Sequence, residues 1–213
     1  MTGFHDRAVR RHFLMLYLRS HLVLPVCVGI LIVVGLATLW SWQMAPDNPN
    51  PIDREIVQRN LITAISVIAA ASVALTLRSP WAEMDDAGGH IVSRIRLATL
   101  LIVTVLLVAA MAALGMMWES SGAGRMLARG FLGYLGIALV ARQLLGDGRG
   151  WWPGFAWAGL AIVAGASWRV HYPPWAWSMQ GAGDTAAWII ALIACVVGVG
   201  ILAQSPIYAQ NHR

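Results

Sequence analysis

The chain has 213 residues, 58% of them hydrophobic and 12% charged, with a mean hydropathy of +0.65 and a formal net charge of +5. A soluble domain carries about 45–50% apolar and about 25% charged residues, so this composition excludes one. Six apolar runs, at 22–43, 60–77, 97–118, 126–145, 151–168 and 187–203, take up 117 residues and leave no room for an extramembrane ATPase, kinase or sensor domain.

Residues 5–19, HDRAVRRHFLMLYLR, place Val9, Phe13 and Leu16 on one helical face and Arg7, Arg10 and Arg11 on another. That pattern predicts an amphipathic helix lying in the cytoplasmic interface. The 22–43 run follows. It is too long for the core of a signal peptide, no small-residue cleavage site comes after it, and an uncleaved span is expected. Cys27 and Cys195 both fall inside apolar runs and read as buried apolar residues, not as a disulfide.

The segment 44–59 holds Pro46, Pro49 and Pro51, which stop a helix, and Asp53 is placed to cap a short one leading into the 60–77 run. Next comes 78–96, RSPWAEMDDAGGHIVSRIR. Ser79 caps, Pro80 takes the first helical position, and Gly88 and Gly89 close a short acidic helix over 79–87. A new helix is expected to begin near Ile91, with Arg94 and Arg96 at the headgroups below the third run. The cluster of Glu83, Asp85, Asp86 and His90 lacks any metal-ligand spacing, and no metal is expected there.

In the fourth run Gly130, Gly133 and Gly136 recur every three residues around Tyr134, which lets another helix approach closely. Ala161 and Gly165 form a similar pair in the fifth. Arg129 lies near the end of its run, where it is expected to snorkel to the headgroups. In 168–184, WRVHYPPWAWSMQGAGD, Pro173 and Pro174 forbid a regular helix, and Trp175 and Trp177 are expected in the interface with the other tryptophans at run ends.

All 15 basic residues other than His are Arg. With the N-terminus inside, the cytoplasmic segments hold Arg7, Arg10, Arg11, Arg19, Arg78, Arg94, Arg96, Arg142, Arg149 and Arg213. Only Arg54, Arg59, Arg125, Arg129 and Arg169 remain outside. That asymmetry predicts six spans in the plasma membrane with both termini cytoplasmic, and it uses the positive charge for topology, not for nucleic acid.

No Asp or Glu lies within a run, and no His lies at mid-span, so Ser66, Ser72 and Ser167 have no base to activate them. A P-loop cannot exist without Lys. No catalytic constellation and no cofactor of the chain's own are expected. Thr38, Ser41, Gln43, Asn60, Thr63, Ser66 and Tyr134 are the polar groups available to line a path, with Thr99, Thr104 and Gln143 beside them.

This order of elements resembles the membrane subunit of ABC-2-type transporters, with the texture of small actinobacterial permeases. It has a basic interfacial helix, two spans, the short helix SPWAEMDDAG and four further spans. The resemblance implies an all-α single domain over 1–213. Trp81, Glu83, Met84, Asp85 and Asp86 would then form a coupling helix that docks on a separate ATP-binding cassette subunit. Two such subunits would carry the ATP and magnesium, and a second copy of this chain or a paralogue would complete the path. The implied function is export of an amphipathic or hydrophobic substrate in contact with membrane lipid. In that family the connection between the fifth and sixth spans often carries re-entrant helices on the outer side, and 169–186 is short for them. The alternatives are a scaffold or accessory subunit of a larger membrane complex and, further off, a haem-handling protein. His171 is the one histidine on the outer side for the latter, and Ser178 stands where the tryptophan-rich haem motif has an acidic residue.

Overall fold

A computed structural model describes residues 51–76, 89–116, 122–146, 149–165 and 172–210. They form five α-helices: α1 (Pro51–Thr76), α2 (Gly89–Met116), α3 (Ala123–Leu145), α4 (Trp152–Gly165) and α5 (Thr185–Gln210). A 3-10 helix, Pro174–Met179, lies between α4 and α5. The described residues contain no strand. The interfacial helix 5–19, the first run 22–43 and the coupling segment 79–87 lie outside them.

Among the described residues three helices are long and apolar enough to cross a membrane: Glu55–Leu75, Ala123–Leu145 and Thr185–Gln204. Leu97–Ala113 and Trp152–Ala164 are shorter apolar helical stretches. Large apolar side chains such as Ile102, Val105, Leu106, Val163, Ile193 and Val196 stand exposed on α2, α4 and α5. In water such faces would drive association; in lipid they face their own solvent.

The second run is preceded by helix described from Pro51 onward, so residues 51–59 belong to the same helix as the run. Gly89, expected to close the acidic helix, belongs to α2. The fifth run, expected as a span over 151–168, is helical over Trp152–Gly165, and residues 166–171 lie outside the described ones.

α3 is the central helix. It contacts the other four, and around it α1 lies beside α4 and α2, while α2 also meets α5. α4 and α5 make no contact with each other. The 3-10 helix touches both of them, as well as α1 and α3. A glycine face makes this arrangement possible. Gly130 lies against Ser66 of α1, Gly133 against the Trp177 ring, and Gly136 against the α5 backbone at Ala194 and Cys195. Gly198 returns the contact to Gly136 and Leu139. The pairs Gly122–Ala182, Gly136–Ala194 and Leu139–Gly198 advance together, so α3 and α5 run in the same direction. α4 runs back alongside α3, with Gly150 against Arg142 and Gly154 near Tyr134.

The turn between α3 and α4 is set by Gly146, whose φ of 85° suits glycine and whose N–H bonds the Arg142 carbonyl at 2.9 Å. Asp184 caps α5, its Oδ1 accepting the Ala187 N–H at 2.8 Å.

A Cβ at Gly136 would collide with the Ala194 carbonyl group, which is backbone and has nowhere to move. Gly136→Val should therefore lose about 1–3 kcal/mol in a detergent unfolding titration, the usual cost of overpacking. Gly159→Ala, on the open side of α4, should lose nothing, and equal losses for the two would refute a close α3–α5 crossing.

Candidate functional site

The feature that stands apart from ordinary helix packing is the segment 172–184. Its contacts trace a descent and a return. Tyr172 lies against Arg59, with the guanidinium carbon 5.0 Å from the ring centroid. Trp177 reaches Gly133, about 15 Å along α3 from Ala123 at ~1.5 Å per residue. From there Ser178 meets Tyr134, Gln180 and Gly181 meet Arg129, and Ala182 meets Gly122. The segment enters and leaves at the same end of the bundle, so it is re-entrant.

Irregular backbone at membrane depth survives only if its polar groups find partners in protein. Proline helps first, since Pro173 and Pro174 have no N–H to satisfy. The Ala176 N–H bonds the Pro173 carbonyl at 2.9 Å, and the Gln180 side-chain amide donates to the same carbonyl at 3.3 Å. At Ala176 the backbone leaves helical geometry (φ −88°, ψ 39°), which bends the chain back toward the surface.

The three carbonyls after the bend point at two guanidinium groups. Arg59 of α1 donates through Nη1 to Met179 O at 2.7 Å, while Nη2 pairs with Glu55 one turn away. Arg129 of α3 donates through Nη1 to Gly181 O at 2.8 Å and through Nη2 to Gln180 O at 2.6 Å. Arg129 is fully buried. Its expected snorkelling to the headgroups does not occur, because the carbonyls of the re-entrant segment come down to meet it. Charge-assisted hydrogen bonds of this kind contribute about 1.5–3 kcal/mol each, so the two arginines together form the principal tie on the segment.

Below this clamp the contacts become apolar. Tyr134 and Trp177 rings pack at 5.0 Å between centroids with a 44° tilt, and the Tyr134 hydroxyl and Ser178 Oγ share a hydrogen bond at 3.0 Å. The Thr63 hydroxyl donates to Met179 Sδ at 3.2 Å. Ala161 of α4 packs with Ala176 and Met179 in a small cluster of its own. Trp157 Nε1 donates to Trp175 O at 3.1 Å, with the two rings edge to face. Trp177 is buried, contrary to the expectation of an interfacial anchor; glycine at 133 leaves the notch that accepts its ring.

Of the polar groups considered for a path, Thr63, Ser66 and Tyr134 are brought into one layer between α1, α3 and the re-entrant segment, all three fully buried. The Ser66 hydroxyl lies 2.8 Å from Ile62 O and 3.2 Å from Leu127 O, where it donates to the backbone. Asn60 is half-buried at the rim of that layer. Thr38, Ser41 and Gln43 lie outside the described residues, as do Trp81, Glu83, Met84, Asp85 and Asp86. Among the described residues no three His, Cys, Asp or Glu side chains converge as a metal site would require.

The clamp itself was not anticipated from the residues. The available signals were an arginine inside each of two helices, Arg59 and Arg129, with a PPWAW segment between the last two. Comparison of the chain with protein-family models, with curated proteins and with solved structures gives no match.

Chemically the site holds backbone in place and transfers nothing. Arg129→Met should remove the side-chain donor from the Gln180 carbonyl, leave Gly181 O with only the Asp184 N–H, and cost about 2–4 kcal/mol, two charge-assisted bonds less the relief of a buried charge. In a background with Cys27 and Cys195 replaced by Ala, a Met179→Cys thiol should then react readily with a membrane-impermeant maleimide. With Arg129 present it should stay protected. Tyr134→Phe, which removes one neutral bond worth about 1 kcal/mol, should leave that protection in place. Equal labelling with and without Arg129 would show that the segment is held by something else.

Proposed function

We propose that this chain is the membrane subunit of an ABC-type transporter, driven by ATP hydrolysis on a separate cassette subunit. The observation that supports the reading is the re-entrant segment between α4 and α5. Irregular backbone carried to mid-depth and clamped there is costly, and it is a recurring device of proteins that move solutes through the bilayer. Its place, before the last helix and at the end opposite residues 77–88, is where the ABC-2 family carries its outer re-entrant helices.

On this reading the 22–43 run and the five described helices make six spans of the plasma membrane. α1, α3 and α5 run inward from outside, and both termini are cytoplasmic. Residues 5–19 lie in the inner interface. Residues 79–87 are the coupling helix, with Trp81, Glu83, Met84, Asp85 and Asp86 on the cassette subunit. Thr63, Ser66 and Tyr134 are packed solid, so one copy has no open path among its described residues. A path then forms between two copies, or between one copy and a paralogue, above two cassette subunits. Amphipathic or hydrophobic molecules are the substrates that such a lipid-facing path suits.

Two measurements test this. A Pro49→Cys thiol should react with impermeant maleimide from outside intact cells and an Ala87→Cys thiol should not; labelling of both, or of the second alone, would break the topology. Replacing Glu83, Asp85 and Asp86 together with Ala should leave the protein folded in the membrane. The same change should abolish stimulation of the partner's ATPase, while Asp53→Ala with Glu55→Ala on the other side should not. If the triple variant keeps both assembly and coupling, the transporter reading fails and a scaffold role takes its place.

A further inference from the structure

The clamp on the re-entrant segment has the form of an oxyanion site. Arg129 holds two neighbouring oxygens at once, Nη2 to Gln180 O at 2.6 Å and Nη1 to Gly181 O at 2.8 Å, while Arg59 Nη1 takes Met179 O at 2.7 Å. A two-pronged grip on adjacent oxygens is how arginine holds carboxylate and phosphate groups. We propose that Arg59 and Arg129 form a binding site for a phosphate oxyanion, and that residues 179–181 are an intrinsic plug whose carbonyl oxygens stand in that anion's place. The inference rests on the clamp and stands apart from the transporter reading.

Charge is what the plug leaves unsettled. Arg129 is fully buried, and among the described residues its hydrogen-bond partners are neutral carbonyls. Its Nε is buried as well and has no hydrogen-bond partner, so the segment does not use the whole fork. Two acidic groups lie at this end of the bundle. Glu55 pairs with Arg59, and Asp184, whose charge reaches Arg129, caps α5 through its Oδ1. Arg59 and Arg129 also lie near enough for their positive charges to act on each other. Two guanidinium groups that converge on one small set of oxygens repel. Neutral carbonyls relieve that repulsion only in part, whereas an anion cancels it. Three oxygens on two guanidinium groups suit a phosphate, which offers three, better than a carboxylate, which offers two.

The site is reachable and the plug is removable. Arg59 keeps 18% of its side chain exposed at the rim. Below the clamp the segment is held by the neutral Tyr134–Ser178 and Thr63–Met179 bonds. An anion that binds only when the plug is out is weakened by the small fraction of molecules in which it is out. A change that loosens the plug and leaves both arginines untouched must therefore tighten anion binding. A purely structural clamp has no such property.

The test uses the purified full chain in dodecyl maltoside, with Cys27 and Cys195 replaced by Ala and Met179→Cys as reporter, a change that keeps the 179 carbonyl. Reaction of that thiol with an impermeant maleimide is followed against inorganic phosphate and against dihexanoyl phosphatidate, at constant ionic strength. At least one of the two should raise the rate about ten-fold along a saturating curve. The more potent one identifies the source, free phosphate or lipid headgroup. Dihexanoyl phosphatidylcholine, whose phosphate carries a choline, should leave the rate unchanged. Ser178→Ala, which removes the Tyr134 bond from the segment, should lower the midpoint concentration about five-fold, the factor that one neutral hydrogen bond carries. Binding of the same anion, measured by calorimetry, should be lost in Arg129→Met. No acceleration by either anion, equal acceleration by the phosphatidylcholine, or a midpoint that Ser178→Ala leaves in place would overturn the proposal. So would calorimetric binding that survives in Arg129→Met. The anion and phosphatidylcholine curves decide even if Arg129→Met does not fold.

Discussion

Carbonyl groups of non-helical backbone inside an apolar span need donors, and in this protein two guanidinium groups supply them. Met179, Gln180 and Gly181 present three consecutive carbonyls, and Arg59 and Arg129 meet all three, with the Asp184 N–H also donating to Gly181 O at 3.1 Å. The benefit runs both ways. A fully buried guanidinium is expensive in a membrane unless acceptors surround it, and the bent segment has acceptors to spare. Each half makes the other tolerable, which is why neither is found alone. The shallow end also brings in Glu55, paired with Arg59, and Tyr172, stacked on it.

The rest of the packing follows from bringing that segment so deep. Trp177 needs a notch, and Gly133 provides it; α5 must then lie close to α3, and Gly136 with Gly198 allows contact between backbones. Without water to drive association in lipid, such close fits and buried polar contacts are what hold helices together.

Much of this was legible in the residues, and the missing parts have definite causes. The recurrence of Gly130, Gly133 and Gly136 pointed correctly to close approach, because a glycine stripe at helical spacing has a direct steric meaning. Apolar helices long enough to cross a bilayer were equally plain from hydropathy. Arg129 was misread since an arginine near a helix end can turn outward or inward, and the acceptors that turn it inward are backbone carbonyls, which leave no trace in side-chain identity. Trp177 was misread for a related reason. Tryptophan suits an interface and a tight core equally well, and only the notch at Gly133, 44 residues earlier in the chain, separates the two.

The arrangement also separates two kinds of polar residue that hydropathy alone treats alike. Ser72 returns its hydroxyl to the Ile68 carbonyl one turn back and so serves its own helix, while Ser66 divides its hydroxyl between Ile62 O of α1 and Leu127 O of α3. Thr63, Tyr134 and Ser178 bond across elements, and they do so only with one another's layer and with Met179. These cross-element bonds are neutral and weak beside the arginine contacts above them, about 1 kcal/mol against about 1.5–3 kcal/mol each. The segment is therefore fastened firmly at its shallow end and lightly at its deep end. Release of the segment would have to begin at the guanidinium groups, because the deep contacts have no room to separate while Arg59 and Arg129 hold their carbonyls.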